Sequence, residues 1–321
     1  MFGLTFLSAT SKTTTHRVVP FRMGNLGSVA GYVAGGNNSS GKISGIDKIA
    51  FPADTKTTLS ATLTTARENC RGFANSGVAG YAAGGEDSGG LVSGIDKIAF
   101  PADSKTTLSA TLTTARQGMA GFANSGVAGY AAGGDGGVNL SGIEKITFAA
   151  DTKTTLSATL TTARNIAAGF ANSGVAGYVA GGFDGANLSG IDKIAFPADS
   201  KTTLAATLTS GRRQLAGFAN SGVAGYAAGG LSSSGQISGI DKIAFPADSK
   251  TTLAATLTTA RTGVAGFANS GVAGYVAGGD DGAFLSGIDK ITFAADTKTT
   301  LSATLTTARQ VMAGFADSGS L

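Results

Sequence analysis

Between Arg71 and Thr114 the chain passes through four runs that read as β-strands, separated by turn signals. Run a, Arg71–Asn75, and run b, Val78–Ala83, consist almost entirely of small residues with one aromatic each. Run c, Gly94–Phe100, alternates Ile95, Lys97 and Ala99 with Asp96, Ile98 and Phe100. Neither face of c is wholly polar, which suits a sheet packed on both sides. Run d, Thr106–Thr114, is rich in Thr and Leu. Asn75–Gly77 suits a tight a–b turn, because Asn and Gly tolerate positive φ. Gly84-Gly85 ends run b, and Pro101-Ala102-Asp103 closes run c because proline cannot donate to a strand ladder.

This pattern recurs through the chain. The tyrosine of run b falls at Tyr32, Tyr81, Tyr130, Tyr178, Tyr226 and Tyr275, a period of 48 or 49 residues that takes in every tyrosine present. A fixed period near fifty marks a supersecondary unit that buries its apolar faces only against copies of itself. The 50 glycines and 14% charged residues fit short strands and tight turns better than helices. The expectation is a single all-β domain over residues 1–321: a degenerate closing segment (1–30), regular repeats (31–309) and a closing strand (310–321).

Four-stranded antiparallel units sandwiched between copies of themselves predict a β-propeller. The small residues of a and b let strands converge on a narrow axis, while the Ile, Phe and Leu of c and d fill the wider space outside. Six copies carry all four runs, one extra run a lies at Val311–Ser318, and Leu4-Thr5-Phe6 resembles Ile291-Thr292-Phe293. Joining both ends gives a seventh, incomplete blade. The alternative is six blades, with the terminal GFADSG replacing the poor run a near Phe21 and the start of the chain left as an arm.

The order of these elements (arginine, small-residue strand, aromatic-plus-Gly-Gly strand, Ile-x-Lys-Ile strand, then Leu-Thr-x-x-Arg) resembles the kelch repeat over nearly the whole chain. The tryptophan usual near strand d of that repeat is missing, and the protein has none. The near-identity of adjacent copies is more similar to kelch-like arrays in structural proteins of tailed bacteriophages. That resemblance implies a non-enzymatic virion surface or tail-fibre-type protein, assembled in the host cytoplasm, whose partners are other virion proteins and a host-surface glycan or protein. The alternatives are a purely architectural virion module, self-association included, and a glycan-cleaving propeller enzyme.

The copies differ from one another in two places. One is the b–c loop: Asn37–Lys42, Glu86–Gly90, Asp135–Asn139, Phe183–Asn187, Leu231–Gln236 and Asp280–Phe284. The other is the d–a link: Glu68–Arg71, Gln117–Met119, Asn165–Ala167, Arg213–Leu215, Thr262–Val264 and Gln310–Met312. In an up-down-up-down unit both emerge at one end, so the variable chemistry is expected on a single face. Binding residues favour loops on rigid scaffolds, although unconstrained loops also drift.

The candidate ligand-binding residues are therefore Asn37, Asn38, Glu86, Asp87, Asp135, Asn139, Phe183, Asp184, Gln236, Asp280, Asp281 and Phe284, together with Arg67, Arg116, Arg164, Arg212, Arg261 and Arg309 at the ends of run d. An arginine ring could accept an anionic glycan group; the plainer expectation is that each arginine bonds loop carbonyls and carboxylates between neighbouring blades. The acidic loop residues lack the spacing of a calcium motif, and no metal or cofactor is expected. Phe183 and Phe284 are the loop aromatics on which a sugar could stack.

His16 is the only histidine and Cys70 the only cysteine, a thin basis for catalysis. The +4 formal charge is spread evenly, so no nucleic-acid patch is expected. No stretch reads as a signal peptide or a membrane span.

Overall fold

The computed structural model describes residues 29–317 and contains strands, turns and loops. The parts of the expected closing blade in residues 1–28 and 318–321 lie outside the described residues. Strands follow the small-residue and alternating runs closely. In the second copy they span Arg71–Asn75, Ala79–Ala83, Ile95–Ala99 and Ser104–Thr107, bonded antiparallel in the order a, b, c, d. Six such four-stranded sheets occur among the described residues, an all-β arrangement consistent with a propeller. In the first sheet the place of strand a is taken by Ala313–Ala316, paired with Ala30–Ala34. That pairing is the one the six-blade alternative requires.

Strand d is shorter than the expected Thr106–Thr114. After Thr107 the chain leaves the ladder and turns inward, with Leu108 N–H donating to Ile95 O, Leu112 N–H to Ser93 O and Arg116 N–H to Val92 O. The reason is burial: Leu112 is 2% exposed and packs among Met119, Ala123 and Ile146 of the third copy. Only the third copy keeps a long strand d, Thr152–Thr159, across a register shift between Gly142 and Glu144.

Each sheet packs on the next through an apolar layer. Between the first and second sheets lie Tyr32, Ile46 and Phe315 from one and Ala74, Ala82, Ile98 and Phe100 from the other. The sixth sheet packs on the first in the same way, through Phe267, Tyr275 and Ile288 against Val33, Ile49 and Phe51. Strands a meet at the centre, where glycine is required: a Cβ on Gly72, Gly121, Gly169, Gly217, Gly266 or Gly314 would lie 2.0 to 2.3 Å from the carbonyl oxygen of the preceding member, Gly72 following Gly314.

The uniform turns are held by bonds between copies. Asn75 Oδ1 accepts from Gly126 N–H at 3.0 Å and Asn124 Oδ1 from Gly174 N–H at 2.9 Å, and the pattern continues until Asp317 Oδ1 accepts from Gly77 N–H at 2.8 Å. The c–d turn does the same through its aspartate. Asp103, at φ 52°, accepts from Tyr32 Oη at 2.8 Å and Lys48 Nζ at 2.7 Å, and that Nζ lies 5.6 Å from the Tyr32 ring centre. The invariance of these turns thus has a structural cause.

Burial first, and the neighbouring aspartate second, push all six tyrosine hydroxyls well above their ordinary value. Below pH about 10 the tyrosines are protonated whether the chain is folded or not, so their stabilisation is fully present there. Above it the unfolded chain releases protons that the folded chain keeps, and stability falls as pH rises towards the raised values. Tyrosinate absorbance is therefore expected to stay flat through pH about 10 and then rise in one step with loss of β-sheet circular dichroism. Gradual ionisation near that pH with the fold intact would contradict the buried pairing.

Candidate functional site

The two variable segments of each copy pair with one another. Backbone bridges join Asn37 to Gln310, Glu68 to Glu86, Gln117 to Asp135, Asn165 to Phe183 and Thr262 to Asp280, and in the fifth copy Arg212–Arg213 forms a short ladder with Leu231–Ser232. The post-arginine and post-diglycine segments therefore lie at one end of the molecule, as expected. The diglycine makes the bend possible: Gly84 and Gly85 sit at φ 59° and 106°, and Gly85 N–H donates to Arg116 O at 2.9 Å.

Nearer the centre the d–a links bond to each other. Asn69 N–H donates to Val311 O, Gly118 to Asn69, Ile166 to Gly118, Gln214 to Ile166, Gly263 to Gln214 and Val311 to Gly263, at 2.5 to 2.9 Å. This cycle of backbone bonds returns to its start. All six members have positive φ, from 47° to 65°, which is costly for β-branched Ile166 and Val311. Because only backbone atoms form the cycle, side chains there differ freely, and Asn, Gly, Ile, Gln and Val all occur.

The arginines are not at this surface. Arg67, Arg116, Arg164, Arg212, Arg261 and Arg309 are 2–4% exposed and wedged between sheets. Each Nη2 donates to a strand-b carbonyl of the next copy, such as Ala82 O from Arg67 at 2.9 Å. Each also faces a buried carboxylate of the next strand c: Asp96, Glu144, Asp192, Asp241, Asp289 or Asp47. Burial lowers the pKa of Arg116, Arg164, Arg212, Arg261 and Arg309, and the carboxylate partly offsets it. An open guanidinium ring for a glycan anion is thus corrected to a set of sheet-to-sheet braces, because the chain turns inward before each arginine.

Most loop acids are engaged in their own turns. Asp87 Oδ1 accepts from Gly89 N–H, Asp135 from Gly137, Asp184 from Ala186, Asp280 from Gly282 and Asp281 from Ala283, and Asn38 Oδ1 does likewise from Ser40. Among the described residues no three His, Cys, Asp or Glu side chains converge on one point. Asn37 and Asn139 take part in backbone bridges, to Gln310 and Asp135. Glu86 receives Lys42 Nζ at 2.7 Å, which also lies 3.7 Å from Glu68 and bonds Asp87 O. Gln236 Nε2 donates to Asp280 O at 3.0 Å. Phe183 carries the Arg213 guanidinium 4.4 Å from its ring centre, a cation–π stack on a half-buried ring.

Phe284 is the other partly exposed loop aromatic, and with Asn38, Asp280 and Ser40 it lines a cleft of about 570 Å³ between the b–c loops of the sixth and first copies. Three candidates from different ends of the sequence are thereby brought together. Lys42 and Arg213 were missed as individual site residues; their signal was a basic residue in one copy, where the others carry polar or apolar residues at the position of Lys42 and polar or acidic ones at that of Arg213.

No protein-family model matches this chain, and no curated protein is significantly similar to it. No helix among the described residues is long and apolar enough to cross a membrane.

Proposed function

We propose that the chain is a non-enzymatic binding module, a six-bladed propeller whose variable end meets a partner on a cell surface, with a glycan as the first candidate. Six blades rather than seven are supported by Ala313–Ala316 filling the strand-a place of the first sheet and by the sixth sheet packing on the first. A virion-surface or tail-fibre-type setting is carried forward from the repeat resemblance. The observation that carries the binding reading is the pairing of the variable segments at one end, on backbone bonds that leave side-chain identity open. The cleft between loops 37–42 and 280–284 combines an aromatic face, an amide and a carboxylate, the mixture that stacks and hydrogen-bonds a sugar.

A second reading, an architectural module in an assembly, is favoured by the opposite end. Val78, Val127, Val175, Val223 and Val272 follow the a–b turns and are each about half exposed, 49–51%. That is a regularly spaced apolar set suited to a symmetric protein partner.

A glycan array separates the two. Phe284→Ala is expected to lower binding at least tenfold, about 1.4 kcal/mol, while Val175→Ser with Val223→Ser leaves it unchanged. Absence of glycan binding, with association to assembly proteins lost in the valine variant, would overturn the first reading in favour of the second.

A further inference from the structure

One side chain breaks the repeat at the centre of the molecule. Strand a begins with alanine at Ala120, Ala168, Ala216, Ala265 and Ala313, but with Arg71 in the second copy. Arg71 lines the central cavity, whose wall is otherwise glycine and small or apolar side chains, Gly121, Gly169 and Met312 among them.

A guanidinium has five N–H donors and a permanent charge. Among the described residues its one hydrogen bond runs from Nη1 to Cys70 O at 3.2 Å, and it belongs to none of the ion pairs. The other arginines of the strand-d ends each face a carboxylate across the sheet interface, so Arg71 stands apart in both position and partner. Burial lowers its pKa, and no carboxylate acts to restore it. A half-buried cation with spare donors, set in a narrow, partly open cavity whose other walls carry no charge, is the chemistry that captures an anion. The cavity is about 40 Å³, against roughly 10–15 Å³ for one water on the same measure. That admits a monatomic anion with a water or two and excludes a sugar or a nucleotide.

We propose that Arg71 forms an anion site on the central axis that takes a halide. The site is separate from the variable-end cleft, so its test is independent of the glycan reading. Bromide is the probe. Crystals of the whole chain grown in sodium bromide are expected to show an anomalous peak beside the Arg71 guanidinium, and crystals of Arg71→Ala are expected to show none. Arg71→Ala restores the residue of the other copies and removes a half-buried charge that has no ion-pair partner, so it is expected to fold and, in halide-free buffer, to melt at or above the wild-type temperature. Raising bromide at constant ionic strength should then raise the melting temperature of the wild type more than that of the variant. No peak in the wild type, the same peak in the variant, or equal bromide responses would overturn the assignment.

Discussion

Replacing Gly169 by alanine is expected to abolish stable folding. The new Cβ would lie 2.1 Å from the carbonyl oxygen of Gly121 and 2.8 Å from its carbon, distances that no rotamer change relieves because the obstacle is backbone. Gly121 has little room to retreat, since it is itself packed so closely on the second copy that a Cβ built on it would lie 2.3 Å from Gly72 O. The strain would spread through all the strands at the centre, and the loss should exceed about 4 kcal/mol, in the range reserved for core disruption. Gly142 is the control: a Cβ there meets nothing within 4 Å and its φ is not positive, so Gly142→Ala should stay within about 1 kcal/mol of wild type. Urea unfolding of the two variants makes the comparison. Near-equal midpoints would mean that the strands a do not converge as described.

The second large effect is expected at the braces between sheets. Asp96 is fully buried and accepts from Thr64 N–H at 2.8 Å, Thr64 Oγ1 at 2.6 Å, Thr107 Oγ1 at 2.8 Å and Arg67 Nη2 at 3.1 Å. One of those donors, Thr107, belongs to its own sheet, and the other three, from Thr64 and Arg67, tie in the end of the previous copy. Asp96→Ala leaves Arg67 buried without its counter-charge and should cost about 3–5 kcal/mol. The third copy supplies the conservative comparison, because Glu144 occupies this place naturally. There the carboxylate still accepts from Thr113 N–H at 2.9 Å, but Arg116 Nη2 stands 3.5 Å away. Asp96→Glu is accordingly expected to cost only about 1 kcal/mol, the worth of a weakened hydrogen bond or two. The midpoints should shift without a change in slope. A loss below about 1 kcal/mol for Asp96→Ala would mean that the braces are incidental.

Much of this architecture was legible before any coordinates, because each copy carries the same local instructions. Small residues in Arg71–Asn75 and Ala79–Ala83, alternation in Ile95–Ala99 and Asn-Ser-Gly at the turn all point to the strands that form. Strand d was overextended because the Thr and Leu residues of Thr-Leu-Ser-Ala-Thr-Leu continue the strand-like run of Thr106-Thr107, while the burial of Leu112 against the next copy is a tertiary effect that propensity does not contain. For the arginines the plainer expectation, bonding to carbonyls and carboxylates between neighbouring copies, is the one the structure carries, with strand carbonyls in place of loop ones, while their candidacy for the ligand-binding surface rested on chain position alone. Their direction depends on the inward turn after Thr107, which has no signature within a single copy. The tyrosines read as packing residues, yet each also reaches the c–d aspartate of the next copy, a link whose only trace was the shared period of Tyr32, Lys48 and Asp54 with their counterparts. Arg71 interrupts a position that is alanine in the other copies, and what that exception means depends on its place beside the central cavity, which the sequence does not give.

The proposal of a closed six-bladed ring with all its differences at one end is tested most directly by amide hydrogen exchange at the cycle of d–a links. The bonds from Asn69 to Val311 and from Val311 to Gly263 tie the last link to those of the second and sixth sheets. In a closed ring these two amides are opened only by the same large-scale unfolding that opens Gly118, Ile166, Gln214 and Gly263, and all six should exchange at comparably slow rates. Fast exchange at Asn69 and Val311 beside slow exchange at the other four would mean an open array, and the account of a single variable face around one axis would fail with it.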